Sequence, residues 1–348
     1  MNKTLLTCLL AAGFCGTTDA QSNVTIYGVM DYGLITQDVD GSNRRTALDS
    51  GVSSGSRLGF KGTENLGNGF KVGFQLEAGI EGDTGFSGQG GRLFGRAAWT
   101  SLAGSFGEVR FGRQNTFGYG WLTEVSPFGT TYGQAAFATI FGYKDVGDRI
   151  DNALFYYTPD FDGFQAGIGY SRHGDGQESA GNEEDNAIVS AGARYDNGPL
   201  TVVFAYDRKN DSDVNDDPGR DDIVNMGLGA VYDFNAVKLH AAVGQLKNRH
   251  FDAHADTEKS WLIGVSAPVG ENGSLFGTYQ RVSDGRNKNE NNIKSNRKGL
   301  AIGYTHNLSK RTNLYAFASQ YSDVGKRQDN ELKLADSAEF GFGVRHRF

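Results

Sequence analysis

Glu339-Phe340-Gly341-Phe342-Gly343-Val344-Arg345-His346-Arg347-Phe348 ends the chain. Phe340, Phe342, Val344 and Phe348 recur at even spacing, with Gly and Arg between them. Successive side chains of a strand point to opposite faces, so this stretch predicts a strand with one apolar and one polar side. The same alternation runs upstream. Val24, Ile26, Met30 and Tyr32 oppose Thr25, Tyr27 and Asp31; Leu58 and Phe60 oppose Arg57 and Lys61. Phe70, Val72, Phe74, Leu76 and Ala78 oppose Lys71, Gln75 and Glu77. Continued to the end, the pattern predicts sixteen strands: 24–35, 57–62, 70–78, 92–103, 105–113, 149–158, 163–172, 187–195, 200–209, 222–233, 236–246, 258–267, 273–283, 297–306, 312–321 and 338–348.

The connections sort by parity. Short ones fall at 63–68, 103–104, 160–162, 196–198, 234–235, 270–272 and 307–310. Long polar ones fall at 36–54, 80–91, 114–148, 173–186, 210–221, 247–257, 284–296 and 322–337. Short turns at one rim and long loops at the other predict an all-β, antiparallel transmembrane barrel of the outer-membrane kind. Closure of the last strand on the first removes sheet edges that hydrocarbon could not satisfy. A secreted sandwich or solenoid also alternates, but its strands rarely sustain ten residues and its loops would not sort by parity.

The chain opens like an exported protein. Lys3, an apolar run from Leu5 to Phe14, and Thr18-Asp19-Ala20 predict a leader removed after Ala20, leaving 21–348 as one barrel domain. Cys8 and Cys15 both lie in that leader, so the remainder has no disulfide, thiolate site or cysteine nucleophile. Gly is abundant at 50 residues and Pro scarce at 5, as twisted strands with tight turns require. The 38% hydrophobic content is low for a soluble domain, even allowing for a benchmark that counts Gly, and it suits a wall that is apolar on one side only. A net charge of −7 argues against nucleic acid. The histidines at 173, 240, 250, 254, 306 and 346 accompany no Gly-x-Ser-x-Gly elbow and no His-Glu-x-x-His. His250 and His254 read as surface residues. Asp211, Asp213, Asp216, Asp217, Asp221 and Asp222 read as a solvated loop facing lipopolysaccharide, without calcium-loop spacing. No enzyme, metal or cofactor is expected.

The gap at 114–148 is the longest and unusually apolar. It carries Phe117, Tyr119, Trp121, Phe128, Tyr132, Phe137, Ile140, Phe141 and Tyr143. A loop in water would not bear these, whereas one packed on the inside of a barrel would.

Val24-Thr25-Ile26-Tyr27-Gly28-Val29-Met30-Asp31, Ser56-Arg57-Leu58-Gly59-Phe60-Lys61-Gly62-Thr63-Glu64, Gly95-Arg96-Ala97-Ala98-Trp99, Gly107-Glu108-Val109-Arg110-Phe111-Gly112-Arg113-Gln114 and the terminal Phe348 are motifs in which the chain resembles the general bacterial porins, in their neisserial and β-proteobacterial branch. The resemblance covers nearly all of 21–348. It implies sixteen strands, a homotrimer, and a third loop folded into each pore. It implies contact with outer-membrane lipid and lipopolysaccharide, and insertion by the barrel assembly machinery with Phe348 as the assembly signal. Family porins carry Pro-Glu-Phe-Gly in the third loop. Here the matching stretch is Ser126-Pro127-Phe128-Gly129, so the acid is missing and Glu124 is the one carboxylate between Asn115 and Tyr143.

The resemblance also implies a basic wall opposite that loop: Arg57, then Arg92 or Arg96, then Arg149. With Trp99 facing lipid, both Arg92 and Arg96 have lumen parity. Lys61 and Glu77 share the inward faces. An inward arginine can equally just pair with a lumenal acid. Counting Arg57, Lys61, Arg96 and Arg149 against Glu77 and Glu124 leaves the narrow region basic. The expected function is passive diffusion of small hydrophilic solutes with a mild preference for anions. The alternatives are a channel selective for a sugar, phosphate or organic acid, and, more remotely, a secreted β hydrolase. A sugar path would need aromatics along the lumen, and the aromatics read mainly outward.

Overall fold

The computed structural model describes residues 23–174, 176, 187–210, 222–248, 257–284, 296–328 and 331–348. The expected leader at 1–20, the loop acids from Asp211 to Asp221 and the His250/His254 pair lie outside the described residues.

Among these, sixteen wall strands run in order: β1 (Asn23–Val39), β2 (Arg57–Gly67), β3 (Phe70–Glu81), β4 (Ala97–Gly104), β5 (Gly107–Asn115), β6 (Ala153–Tyr157), β7 (Phe164–Ser171), β8 (Ile188–Asn197), β9 (Leu200–Lys209), β10 (Ile223–Asp233), β11 (Lys238–Lys247), β12 (Thr257–Val269), β13 (Gly273–Asp284), β14 (Lys298–Asn307), β15 (Thr312–Gln328) and β16 (Glu331–Arg347). Each pairs antiparallel with the next. β16 pairs with β1 from Val29↔Arg347 to Val39↔Ser337, which closes the barrel.

Three expected boundaries move. The stretch 322–337 is not a loop: β15 and β16 continue through it as one long hairpin, paired from Val324↔Ala335 to Gln328↔Glu331. Strands that project beyond the bilayer need no apolar face, so the alternation that marks a spanning strand is lost there. The stretch 36–54 is partly ordered as well, because Arg45–Ser50 folds back onto the upper half of β1. Residues 92–96 are not strand. Gln89, Gly90 and Gly91 take positive φ, and this turn delays the start of β4 to Ala97.

Side-chain sorting follows the pleat. Val24, Ile26, Leu34, Phe111, Leu154, Ile168, Phe204, Leu228, Val243, Ile263, Leu300, Ile302, Phe340 and Phe342 all face outward and are exposed. So much contiguous apolar surface suits hydrocarbon, not water. The buried apolar cluster sits inside the barrel instead. Phe117, Leu122, Val125, Phe137, Ile140, Phe141, Tyr143 and Val146 of the inserted loop pack on Val203, Ala205, Ala242, Leu246, Leu262, Val282 and Tyr321 of the wall. One side of the lumen is therefore a dry core rather than the polar surface expected. Lumen-facing glycines make room for it. A Cβ on Gly192 would lie 2.7 Å from the Phe117 ring, and one on Gly227 would overlap Leu122.

The seam is closed by the chain ends. Gly28 and Phe348 exchange backbone N–H···O bonds of 3.1 Å, and the Phe348 ring lies over Gly28. A Cβ on Gly28 would overlap that ring and meet the Arg57 carbonyl oxygen at 2.8 Å. Gly28→Val is expected to lower the yield of closed barrel, read as loss of the heat-sensitive band that the unheated protein gives in gel electrophoresis. A distant outward swap such as Ile263→Val should leave that band intact.

Candidate functional site: the lumen constriction

Residues 116–148 fold into the barrel as short turns: Phe117–Gly120, Leu122–Val125, Gly133–Ala135, Ala138–Phe141 and Tyr143–Val146. The wall holds this loop by buried polar groups. Asp207 accepts from the Gly118 N–H at 3.0 Å and from the Ser190 hydroxyl at 2.5 Å. Ser190 Oγ in turn accepts from the Phe117 N–H at 2.8 Å. Glu339 accepts from the Gln134 N–H at 3.0 Å. His240 Nδ1 donates to the Val125 carbonyl at 2.9 Å, while its Nε2 meets Ser266 Oγ. On the β1 side, Asp31 accepts from the Ser53 N–H at 3.1 Å and from the Tyr315 hydroxyl at 2.7 Å, and Ser53 Oγ donates to Tyr132. Buried hydrogen bonds to charged acceptors are among the stronger ones, so these contacts define where the loop stands.

The loop leaves two polar spaces against the opposite wall. The first, about 390 Å³, is lined by Arg57, Arg96, Arg110 and Arg149 and by Glu77, Glu108 and Glu124. The second, about 610 Å³, lies between the loop tip (Ser126–Tyr132) and Lys238, His240, Phe276 and Arg345. Its charged lining is wholly basic: Arg57, Arg96, Lys238 and Arg345. Arg57 and Arg96 border both spaces.

Glu77 organises the wall. It binds Arg96 Nε at 2.7 Å, stands 3.8 Å from Arg57 Nη1, and accepts from the Tyr27 hydroxyl at 2.8 Å. Arg57 also donates to Ser54 Oγ at 2.7 Å. Arg149 donates to the Tyr119 hydroxyl at 3.0 Å and lies over its ring. Glu124 stands 3.5 Å from Arg194 on β8, and Arg194 is also paired with Asp196. Pro127, Phe128 and Gly129 form the loop tip that lines the second space, with Phe128 itself buried against Tyr132 and Phe276.

Several placements differ from the sequence reading. Trp99 faces the lumen, not lipid: it lines the first space, and Arg110 sits 4.5 Å from both its ring and that of Tyr157. A guanidinium stacked on aromatic faces makes an inward Trp favourable. Arg96 reaches the lumen from the turn before β4, so strand parity does not govern it. Arg92 does not join the constriction. It pairs with Asp151 at 2.6 Å, beside Arg113 on the same carboxylate at 2.7 Å. Lys61 keeps inward parity but lies over the Tyr27 ring, outside both spaces. The sequence reading does not single out Arg110, Arg194, Lys238, Arg345 or Glu108. Part of their signal is present in the parity of Phe111 and Val344, whose outward faces send Arg110 and Arg345 inward.

Comparison with known proteins agrees with this architecture. A family model described as Gram-negative porin matches residues 6–326. An outer membrane porin protein of Bordetella pertussis is 35% identical across the full length of both chains. Outer membrane porin protein 32 of Delftia acidovorans is 36% identical over 90% of this chain and 88% of its own. The solved anion-selective porin from Comamonas acidovorans superposes with a TM-score of 0.78 at 30% identity, covering 94% of this chain and all of that one. The chain belongs to the Gram-negative porins. It is a passive channel of the outer membrane.

Glu124 is expected to give the constriction a pH response. About half of the Glu124 side chain is exposed, and partial desolvation inside the lumen raises its carboxyl above the ordinary carboxylate value, while Arg194 pulls it back in part and Asp196 adds to the rise. A raised value means proton uptake earlier on acidification, and the neutral form removes the loop's negative pole. Anion preference is therefore expected to grow on going from neutral to acidic pH. Glu124→Gln should show the larger preference already at neutral pH and lose much of the response. Reversal potentials at neutral and acidic pH check both.

Proposed function

We propose that the channel passes small hydrophilic solutes and ions with a mild preference for anions, and that it works as a homotrimer. The observation that carries the preference is the wholly basic charged lining of the larger space, continuous through Arg57 and Arg96 with the narrower one. Arginine stays charged at any relevant pH, so this positive wall is permanent. Low-dielectric walls focus its field on the aqueous path. The similar Comamonas porin is anion-selective, which supports the same reading. A sugar path is not favoured although Trp99, Trp121 and Tyr157 line the lumen. Arg110 and Arg194 occupy the faces of these rings, which a sugar would need free.

The test is the zero-current potential of the purified protein in a planar bilayer across a potassium chloride gradient. The sign of chloride selectivity is expected; clear potassium selectivity refutes the proposal. The subunit number follows from native mass spectrometry of the unheated protein, where three copies are expected.

A further inference from the structure

The inserted loop is not alone in the lumen. The connection after β1 leaves the short strand Arg45–Ser50, turns at Gly51 with a φ of +73°, and runs inward to β2. A Cβ on Gly51 would lie 3.0 Å from the Gly55 Cα, and its positive φ strains any side chain, so the turn needs glycine. The Gly51 N–H donates to the Asp31 carbonyl at 2.9 Å, and the Ser53 N–H to the Asp31 carboxylate at 3.1 Å. Val52, Ser53 and Ser56 are buried. Val52 belongs to the apolar cluster of Ile35, Phe128, Tyr132 and Phe317. This segment also carries the tip of the inserted loop. The Tyr132 N–H donates to the Val52 carbonyl and Thr131 Oγ1 to the Ser53 carbonyl, both at 2.7 Å.

The same segment touches the cations of the larger space. Arg57 Nη2 donates to Ser54 Oγ at 2.7 Å, and Arg345 Nη1 to Ser53 Oγ at 3.4 Å. Arg96 Nη1 would stand 2.9 Å from a Cβ on Gly55, so the bare glycine leaves room for its guanidinium. Lys238, the remaining cation of that lining, is paired with Asp233 at 2.9 Å. The positive field of the larger space therefore falls to the three arginines that 53–55 touches. Ser54 has a specific task among them. Glu77 holds Arg96 Nε at 2.7 Å, while Arg57 Nη1 stays 3.8 Å away. Without the Ser54 hydroxyl, the Glu77 carboxylate is the stronger acceptor beside Arg57, and closing on it draws the guanidinium out of the aqueous path.

We infer that Ser53-Ser54-Gly55 is a positioning element for ion selectivity. Ser54 holds Arg57 forward in the aqueous path, Ser53 ties Arg345 to the loop tip, and Gly55 leaves the space that Arg96 fills. They are positioning residues, acting through the three guanidiniums and not on the permeating ion. The inference deepens the anion preference proposed above and rests on that reading for the sign of the wild-type selectivity.

The test reads the zero-current potential of the purified protein and its variants in planar bilayers across one potassium chloride gradient. Ser54→Ala should lower the chloride-to-potassium permeability ratio roughly twofold, the change given by a guanidinium that retreats about 3 Å at intermediate dielectric and moderate salt. Ser54→Thr keeps a hydroxyl and should keep the wild-type ratio. Thr46→Ala removes a hydroxyl that meets Thr36 at 3.1 Å in the same connection, outside both polar spaces, and should change nothing. In an Arg57→Ser background, Ser54→Ala should add no further shift, because the group it acts through is gone. Each shift is measured against the wild type. A potassium-preferring wild type therefore refutes the proposed preference, while the effect of Ser54→Ala still reports on positioning. A ratio in Ser54→Ala at or above the wild-type value overturns the inference. So does a shift of equal size with Arg57 present and replaced, or one that Ser54→Thr reproduces.

Discussion

Replacing Arg57 by glutamate is expected to carry the channel from anion toward cation preference. Arg57 borders both polar spaces, so an ion that enters either of them comes near it. The substitution changes the local charge by two units. At an effective dielectric of about 20, a unit charge roughly 8 Å from an ion is worth about 2 kcal/mol before salt screening. Screening at about 0.1 M removes about half, leaving about 2 kcal/mol for the two units, or more than a tenfold change in permeability ratio. Arg57→Ser should give about half the shift in free energy. Lys61→Glu should give far less, because Lys61 lies outside both spaces. The barrel should survive, since Arg96 remains bound to Glu77 at 2.7 Å and shields it from the new carboxylate. Reversal potentials of the three variants in one salt gradient check the order.

Asp207→Ala combined with Glu339→Ala is expected to free the inserted loop without opening the barrel. Asp207 holds the Gly118 N–H and the Ser190 hydroxyl at the loop's start, and Glu339 holds the Gln134 N–H beyond its tip. Buried hydrogen bonds to charged groups contribute about 1.5–3 kcal/mol each, and the orphaned donors add their own cost. Losing both anchors removes at least about 3–6 kcal/mol of loop attachment. The apolar cluster around Phe137 and Phe141 still favours the packed position, so the loop should exchange between docked and displaced forms. Single-channel records should show a higher mean conductance with discrete open-level noise, and the wild type a quiet level. Asp207→Asn keeps an acceptor for Gly118 and should fall between. Unchanged records for the double alanine variant would mean that apolar packing alone holds the loop.

The wall was legible because a lipid-facing barrel writes its two environments into alternate residues. Ile26, Ile168 and Ile263 had to be apolar and their neighbours did not. The inserted loop was legible for the opposite reason, since rings such as Phe117 and Phe137 have no place in a hydrated connection. Legibility failed where alternation carries no constraint. The upper halves of β15 and β16 stand outside the bilayer and looked like a loop. Arg92 and Arg96 precede a strand that begins only at Ala97, so counting parity back to them had no meaning. Trp99 misled because an aromatic can be satisfied in water-filled space by a stacked guanidinium, here Arg110. The partners of Glu124 and Arg149 could not be read either. Arg194 and Tyr119 reach them through the fold of the loop, and nothing in the spacing of the chain encodes that.

Thiol accessibility decides which side of the wall meets water, and replacing Cys8 and Cys15, the two cysteines of the sequence, by serine gives a clean background. Single cysteines at Ser266 and Ser274, which line the larger space, are compared with cysteines at their neighbours Val265 and Leu275, which face lipid. Each reconstituted variant is treated with a sulfonate-bearing and an ammonium-bearing methanethiosulfonate reagent. An aqueous, basic lumen predicts reaction and a fall in current at 266 and 274, faster with the anionic reagent, and protection at 265 and 275. Equal labelling of both sets, or faster reaction with the cationic reagent inside the lumen, would contradict it.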